Sequence, residues 1–352
     1  MSFEESRIPA ERTLPPSLYV LGGRQRKPAV NIAEEWNHYE AGLILEVDTH
    51  TGSAEVRSEY KTPPDARATD RSSVLFKAGA LAGDKMYTCT PTEVLVYDLP
   101  EFTTANYVSL PCFNDLHHVV PDAVGNLLVT STGLDMVVKL DPNGAVLHEW
   151  NALGENPWGR FSRDVDYRKV ESTKPHRSHP NFAFELEGQI WVTRFEQRDA
   201  ICLTEPRKRI DIAIQAPHDG HVCGKYIYFT TVDGHIVIAG RDSLRVERAV
   251  DLAAVNGRER LLGWCRGLLC VDPDKFWVGF TRIRRTRFQE NLFWLNHALR
   301  NRMLKKPTHI ALYDISAGTC LREFNLERYG MNVVFSILPG PHAAAESRDD
   351  LP

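Results

Sequence analysis

Hydrophobic and polar positions alternate along this 352-residue chain in short runs, and turns rich in glycine, proline, asparagine and aspartate separate the runs. Runs of this length and pattern are typical of half-buried β-strands. The segment 116–150 contains four in succession, HHVVPDA, LLVTST, MVVKLD and AVLHEW. The short turns between them predict a four-stranded antiparallel unit.

This four-strand unit recurs along the chain, which is the signature of a repeat architecture. Five complete copies cover the segments 73–111, 116–150, 178–214, 218–252 and 264–326. The two ends of the chain supply the parts of a sixth copy. A first strand, NVVFSILP, lies near the C-terminus, and strands two to four, SLYVLGG, AGLILEVD and SAEVRSEY, lie near the N-terminus.

The six copies predict an all-β fold, a six-bladed β-propeller with four strands per blade. N-terminal strands joining a C-terminal strand would close the ring, and a closed ring protects sheet edges. We expect a single domain over residues 1–340 and a disordered tail over 341–352. A β-sandwich with coincidental spacing is the alternative.

Three insertions interrupt the repeat, at about 22–42, 151–177 and 282–307. Because successive strands of a blade alternate in direction, all three should emerge on the face where the first strands begin, which we call the top. The third insertion contains a helical apolar stripe with basic flanks over 286–304. This helix could form a lid over an anionic substrate, or a docking surface for a protein partner or a second copy of the chain.

Composition excludes several classes of protein. The formal net charge of −4 gives no support for binding nucleic acid or anionic membranes. No apolar run is long enough to span a membrane, and the first residues lack a basic and then apolar leader. The seven cysteines are an odd number and form no CxxC motif. We therefore expect a cytoplasmic protein with reduced thiols.

Histidines gather at the starts of first strands in three neighbouring copies. Six of the thirteen histidines lie there. Imidazole is a common ligand of transition metals, and three histidines with open positions suit zinc or iron. The predicted metal ligands, one from each copy, are His118, His179 and His221; the reserve ligands are His117, His176 and His218. Hydrogen bonding without metal, or acid–base catalysis, are the alternatives.

Two arginines and a set of oxygen-bearing side chains complete the candidate site. Arg194 and Arg266 lie on inner-strand patterns, where a buried arginine needs a carboxylate partner. Each could bind a substrate carboxylate as a catalytic residue or form a structural ion pair. Carboxylates and amides near the strand starts could instead hold calcium: Asn114, Asp115, Asn181, Asp219 and Asn332.

At the level of fold, the repeated four-strand units resemble the broad NHL and SMP-30-like, or gluconolactonase-like, group of six-bladed propellers. The resemblance covers nearly the whole chain but carries no family-specific motif. It implies a divalent cation, often calcium, held by carboxylates and amides in the channel. The early glutamate of the SMP-30-like enzymes has no clear counterpart in this sequence.

The sequence thus predicts an enzyme that uses a divalent metal, iron or zinc rather than calcium, on a small anionic metabolite at the top of the channel. Hydrolase, lyase and oxygenase chemistry all stay open, because no GxSxG, HExxH, P-loop or GxGxxG motif is present. The alternatives are a non-catalytic propeller that binds a protein or ligand on its top face, and a calcium-dependent lactonase or esterase.

Overall fold

Six four-stranded antiparallel sheets form the blades of a β-propeller in the computed structural model. The structure describes residues 14–27, 38–255, 257, 260–283 and 304–341. The predicted helix over 286–304 lies outside these ranges except for Leu304, and so does nearly all of the predicted tail over 341–352. Within the described part of the chain, no helix is long and apolar enough to cross a membrane.

The strands follow one another blade by blade. The N-terminal strands of the closing blade are β1 (Ser17–Gln25), β2 (Tyr39–Asp48) and β3 (Ala54–Tyr60). Blade one contains β4 (Ala80–Ala82), β5 (Lys85–Cys89), β6 (Val94–Asp98) and β7 (Thr103–Val108). Blade two contains β8 (Leu116–Pro121), β9 (Leu127–Ser131), β10 (Met136–Leu140) and β11 (Val146–Asn151). Blade three contains β12 (Pro180–Leu186), β13 (Gln189–Arg194), β14 (Asp199–Cys202) and β15 (Arg209–Asp211).

The remaining blades keep the same order. Blade four contains β16 (His221–Cys223), β17 (Tyr226–Thr230), β18 (His235–Gly240) and β19 (Val246–Asp251), followed by the short helix α1 (Leu252–Val255). A two-stranded parallel sheet joins β20 (Arg260–Leu261) to β23 (Leu304–Lys305). Blade five contains β21 (Trp264–Cys270), β22 (Lys275–Thr281), β24 (His309–Asp314) and β25 (Thr319–Asn325). Within the described ranges, single-turn 3-10 helices lie at Pro64–Ala66, Thr132–Leu134, Tyr167–Lys169 and Glu327–Tyr329.

The ring closes as the sequence predicts. The last strand, β26 (Val333–Pro339), pairs antiparallel with β1 and becomes the inner strand of the closing blade. Closure requires a close approach of the two backbones at Gly22, where a Cβ atom would lie 1.8 Å from the Val333 carbonyl oxygen. Only glycine fits at this point.

Aspartates organise the turns that join the strands. In each case the carboxylate accepts hydrogen bonds from backbone N–H groups two to four residues later, as in an Asx turn. These hydrogen bonds explain why turns that contain aspartate separate the strands of the repeat. Such turns occur at Asp48, Asp122, Asp141, Asp272 and Asp314.

The hydrophobic core lies between the faces of neighbouring blades. One buried cluster joins Val94 of blade one to Leu116 and Val138 of blade two, and another joins Tyr228 of blade four to Phe276 of blade five. Each apolar strand face is therefore covered by the next blade. On the first strands, the side chains that do not pack between blades face the central channel.

Candidate functional site

Each blade places one side chain at the top of the channel. These six residues lie within three positions of the start of a first strand, and we call them the channel ring: Lys77, His117, His179, His218, Arg266 and Phe335. Phe335 is a neighbour of four of the others, His117, His218, Lys77 and Arg266. Its ring centroid lies 6.0 Å from that of His117 and 5.6 Å from that of His218.

Two cationic side chains of the channel ring lie over Phe335. The Lys77 ammonium is 4.8 Å and the Arg266 guanidinium carbon 4.5 Å from the centroid of its ring. Cations at these distances are attracted to the aromatic face. Arg266 also lies 6.0 Å from the ring of Trp264. The sequence did not point to Lys77 or Phe335, but aligning the first strands of the six copies places both at positions equivalent to the histidines.

A cavity of about 750 Å³ opens above the channel ring. This volume is in the range of small-molecule sites. Five residues of the channel ring line this cavity. The sixth, His218, does not line it and lies behind the channel ring, against His117. The 151–177 insertion forms one wall, because Asn114 Nδ2 donates to the carbonyl oxygens of Tyr167 and Val170, 2.8 Å from each.

Lys77 is buried, with 5% of its surface exposed, and is held by two groups. Its Nζ lies 2.9 Å from Asp115 Oδ1 and 3.4 Å from His117 Nε2. Burial lowers the pKa of Lys77, and the charge of Asp115 opposes this shift. Burial acts to raise the pKa of Asp115, but Lys77 and then the neighbouring histidines hold that pKa well below its usual value.

The hydrogen bonds of His117 define its tautomer. His117 Nδ1 is 3.0 Å from the carbonyl oxygen of Asp115, which can only accept, so Nδ1 carries the proton. Nε2 then has the lone pair and accepts from Lys77. Burial, followed by the charge of Lys77, holds the pKa of His117 well below its usual value. The ring is therefore neutral at physiological pH.

The hydrogen bonds of His176 define the tautomer of His179. The hydroxyl of Thr173 donates to Gly133 O at 2.5 Å, so it accepts from His176 Nε2 at 3.4 Å. His176 Nδ1 then accepts from His179 Nδ1 at 3.0 Å. The lone pair of His179 therefore lies on Nε2. Burial, and next His176, holds the pKa of His179 well below its usual value.

Asp115 and His179 share an unusual backbone conformation. Each directly precedes a first strand and has a positive φ, 48° and 52° respectively. Asp135 holds the second of these, because its Oδ1 accepts from the backbone N–H groups of Ser178 and His179, 2.9 Å from each. Residues other than glycine rarely adopt this conformation, and such positions cluster at functional sites.

Two of the three predicted metal ligands lie away from the cavity. His118 stacks on Phe182 with ring centroids 3.6 Å apart, and His221 packs on the same ring at 4.8 Å. His179 instead packs against His117 and His176, with centroids 5.0 Å from each. Over the described ranges, no group of three or more His, Cys, Asp or Glu side chains is placed to hold a metal ion.

Burial strongly disfavours the charged form of His118. Burial, and then the neighbouring His221, lowers the pKa of His118 to about 3. Neither of its ring nitrogens has a hydrogen-bond partner among the described residues. His118 is therefore a neutral residue of the channel interior.

The candidate oxygen ligands are bound by protein groups. Asp219 accepts from the Thr230 hydroxyl and, at 3.0 Å, from the Gly267 N–H, which links blade four to blade five. Asn181 Nδ2 donates to Pro217 O at 2.9 Å, and Asn332 Oδ1 accepts from Gln25 N at 2.8 Å. Asp115 Oδ1 faces Lys77.

Arg194 forms a structural ion pair, which is one of the two roles that the sequence left open. It is 7% exposed, and its Nε and Nη2 lie 2.8 and 2.6 Å from the two oxygens of the fully buried Asp199. Its Nη1 donates to Ala152 O at 3.0 Å. Arg194 does not line the cavity, whereas Arg266 does.

The fold and site define a six-bladed β-propeller with a polar, histidine-containing cavity at the top of its channel. The structure is similar to a protein of unknown function from Bacteroides caccae, with a TM-score of 0.58, 13% identity, and coverage of 92% of this chain and 98% of that chain. It is also similar to a chain of a nidogen/laminin complex, with a TM-score of 0.51, 9% identity, and coverage of 91% and 97%. No family model and no curated protein matches the sequence. At these identities the similarity concerns the fold.

Proposed function

We propose that this propeller is an enzyme that binds a small anionic metabolite in the top cavity. The observation that carries the proposal is the placement of Lys77 and Arg266 over one aromatic ring at the cavity floor. Lys77 also pairs with Asp115, and Arg266 is the second cationic side chain that lines the same cavity. A carboxylate or phosphate between the two cations would form charge-assisted hydrogen bonds, which are among the strongest in proteins.

His179 is the residue that we propose for acid–base chemistry. It lines the cavity, and its Nε2 carries the lone pair while His176 and Asp135 fix the ring and its backbone. The lowered pKa keeps this nitrogen unprotonated at neutral pH, and an anion bound beside the ring would raise that pKa towards the operating pH, where a general base is most effective. His117 is less suited to the role because its Nε2 already accepts from Lys77.

The cation pair does not favour a resident metal ion in the channel ring. Two cationic side chains repel a divalent ion, and the predicted ligands His118, His179 and His221 pack in two separate groups. The calcium-dependent lactonase that the SMP-30-like resemblance suggests would need Asp115 and Asp219 to exchange their present partners. We therefore propose that binding of the anion does not require a metal.

A thermal-shift screen tests anion binding. Small carboxylates and phosphate esters are compared with their uncharged amide or alcohol analogues. We expect at least one anion to raise Tm by several degrees while its neutral analogue does not. The double variant Lys77→Met/Asp115→Asn should lose this response. Lys139→Met serves as the matched control, because Lys139 also pairs with an aspartate, Asp122, at 2.8 Å but does not line the cavity.

Experiments with the same ligands distinguish between the possible functions of the cavity. Equal responses to anions and neutral analogues, or an unchanged response in the double variant, would contradict the proposed site. Products detected by mass spectrometry with the tag-free protein, and lost in His179→Gln while binding is retained, would support catalysis. Binding without turnover would indicate a non-catalytic receptor. Turnover that is lost on chelation and restored by calcium, zinc or iron would contradict the metal-independent account and identify the ion.

A further inference from the structure

Two cysteines from neighbouring blades meet at the end of the channel opposite the cavity. Cys223 is the last residue of β16 and Cys270 the last residue of β21. These first strands begin at the top of blades four and five and end at the bottom. The two sulfur atoms lie 2.7 Å apart.

This separation is too short for ordinary packing of two thiols. Non-bonded heavy atoms pack at about 3.5–4.0 Å, and the S–S bond of a disulfide is about 2.05 Å long. The sulfur atoms are therefore closer to the bonded than to the packed distance. Both side chains are half-buried, so a small reagent in solvent can reach the pair.

We propose that Cys223 and Cys270 form a reversible disulfide that joins blades four and five. A small disulfide such as oxidised glutathione is the oxidant. The thiolate of one cysteine attacks it and forms a mixed disulfide, which releases one glutathione thiolate. The second cysteine thiolate then attacks the protein sulfur and releases the other. The protein loses two electrons and two protons, and one glutathione disulfide becomes two thiols.

The link would stabilise the propeller at an interface that also contributes to the cavity. Blade five contributes Arg266 to the lining of the cavity, whereas blade four supports it through His218 behind the channel ring, whose ring centroid lies 5.9 Å from that of His117. A cross-link between residues 223 and 270 restricts the unfolded chain, and this stabilises the folded state more for longer loops. The reduced thiols expected from the sequence are then one of two states of this pair.

The experiment compares the full-length protein after reduction and after incubation with oxidised glutathione. After alkylation and digestion without reducing agent, we expect one peptide that links Cys223 to Cys270, two fewer alkylated thiols of the seven, and a Tm higher by roughly 5 °C. Cys270→Ser should abolish the Tm difference. Cys320→Ser should keep it, because Cys320 is also half-buried in blade five but contacts Arg322 O.

The peptide map of the wild-type protein decides the matter even if a variant folds poorly. The proposal would be overturned if Cys223 and Cys270 were still fully alkylated in the oxidised sample. It would also be overturned if they carried glutathione without being linked to each other. A linked peptide involving another cysteine would also overturn it.

Discussion

The buried histidines of the channel are neutral because burial disfavours the imidazolium more than the neutral ring. This holds for His118 on Phe182 and for His117 and His179 beside the cavity. Because proton binding is linked to folding, these lowered pKa values make the free energy of unfolding depend on pH. The unfolded chain binds protons at these rings near pH 6.5, whereas the folded chain does so only at lower pH. The stabilising contribution is complete above pH 6.5 and declines as the pH falls towards the folded-state pKa.

His118→Phe should therefore make the protein less sensitive to acid. The phenyl ring can keep the stack on Phe182 and binds no proton. Between pH 6 and pH 5 the wild type should lose about 1 kcal/mol more unfolding free energy than the variant, close to the limit for one proton over one pH unit. Urea denaturation at both pH values measures this difference. His148→Gln is the control, because His148 is exposed.

An identical pH dependence in His118→Phe and wild type would show that His118 is not buried as a neutral ring. A slope that changes as much in the His148 variant would show that the effect is not specific to the channel interior.

The sequence could predict that histidines gather here but not which of them reach the cavity. Adjacent residues of a strand face opposite sides, so a shift of one residue exchanges His117 and His118. The pairing of β8 with β9 shifts register between Leu116 and His118, an irregularity that no local pattern shows. Lys77 and Phe335 lie outside the histidine pattern, and only comparison of all six first strands would have found them.

At the scale of elements, a buried charge network joins three strands of blade three. Asp199 on β14 is fully buried and contacts Arg194 on β13 and Arg209 on β15, both at 2.6 Å. A buried carboxylate is tolerated only when cations and hydrogen bonds compensate for lost water. This network supports the sheet rather than the cavity.

Arg194→Met should lower the unfolding free energy by about 3 kcal/mol, because it leaves Asp199 with a single, half-exposed arginine partner. Urea denaturation at neutral pH measures the loss. The Tm increase produced by an anionic ligand should stay as in wild type. Loss of the ligand response in a variant that still folds would assign Arg194 to the binding site instead.

At the scale of the whole molecule, closure of the ring depends on strands from both ends of the chain. Ring closure could be predicted from the sequence. Three strands near the N-terminus and one near the C-terminus belong to no complete copy, and together they make one four-stranded blade. The position of a site at the top of the channel could also be predicted, but the shape and lining of the cavity could not. Its wall depends on long-range contacts such as Asn114 to Tyr167 and Val170, which have no sequence signature.

Gly22→Ala should weaken closure, because the added Cβ would lie 1.8 Å from Val333 O. Backbone atoms cannot yield as a flexible side chain does, so we expect a loss of at least about 2 kcal/mol in unfolding free energy. Gly159→Ala is the control, since its Cβ would meet no atom closer than 3.3 Å. If Gly22→Ala were no less stable than Gly159→Ala, the pairing of β1 with β26 would differ from that described.

Isothermal titration of the best anion from the screen into wild type, Arg266→Met, Lys77→Met/Asp115→Asn and Lys139→Met tests whether the anion binds between Lys77 and Arg266. Hydrogen bonds to charged groups contribute about 1.5–3 kcal/mol. We therefore expect either variant, while still folded, to bind the anion roughly 10- to 100-fold more weakly, and Lys139→Met to bind it like wild type. Equal affinity in all four proteins would contradict an anion site between Lys77 and Arg266.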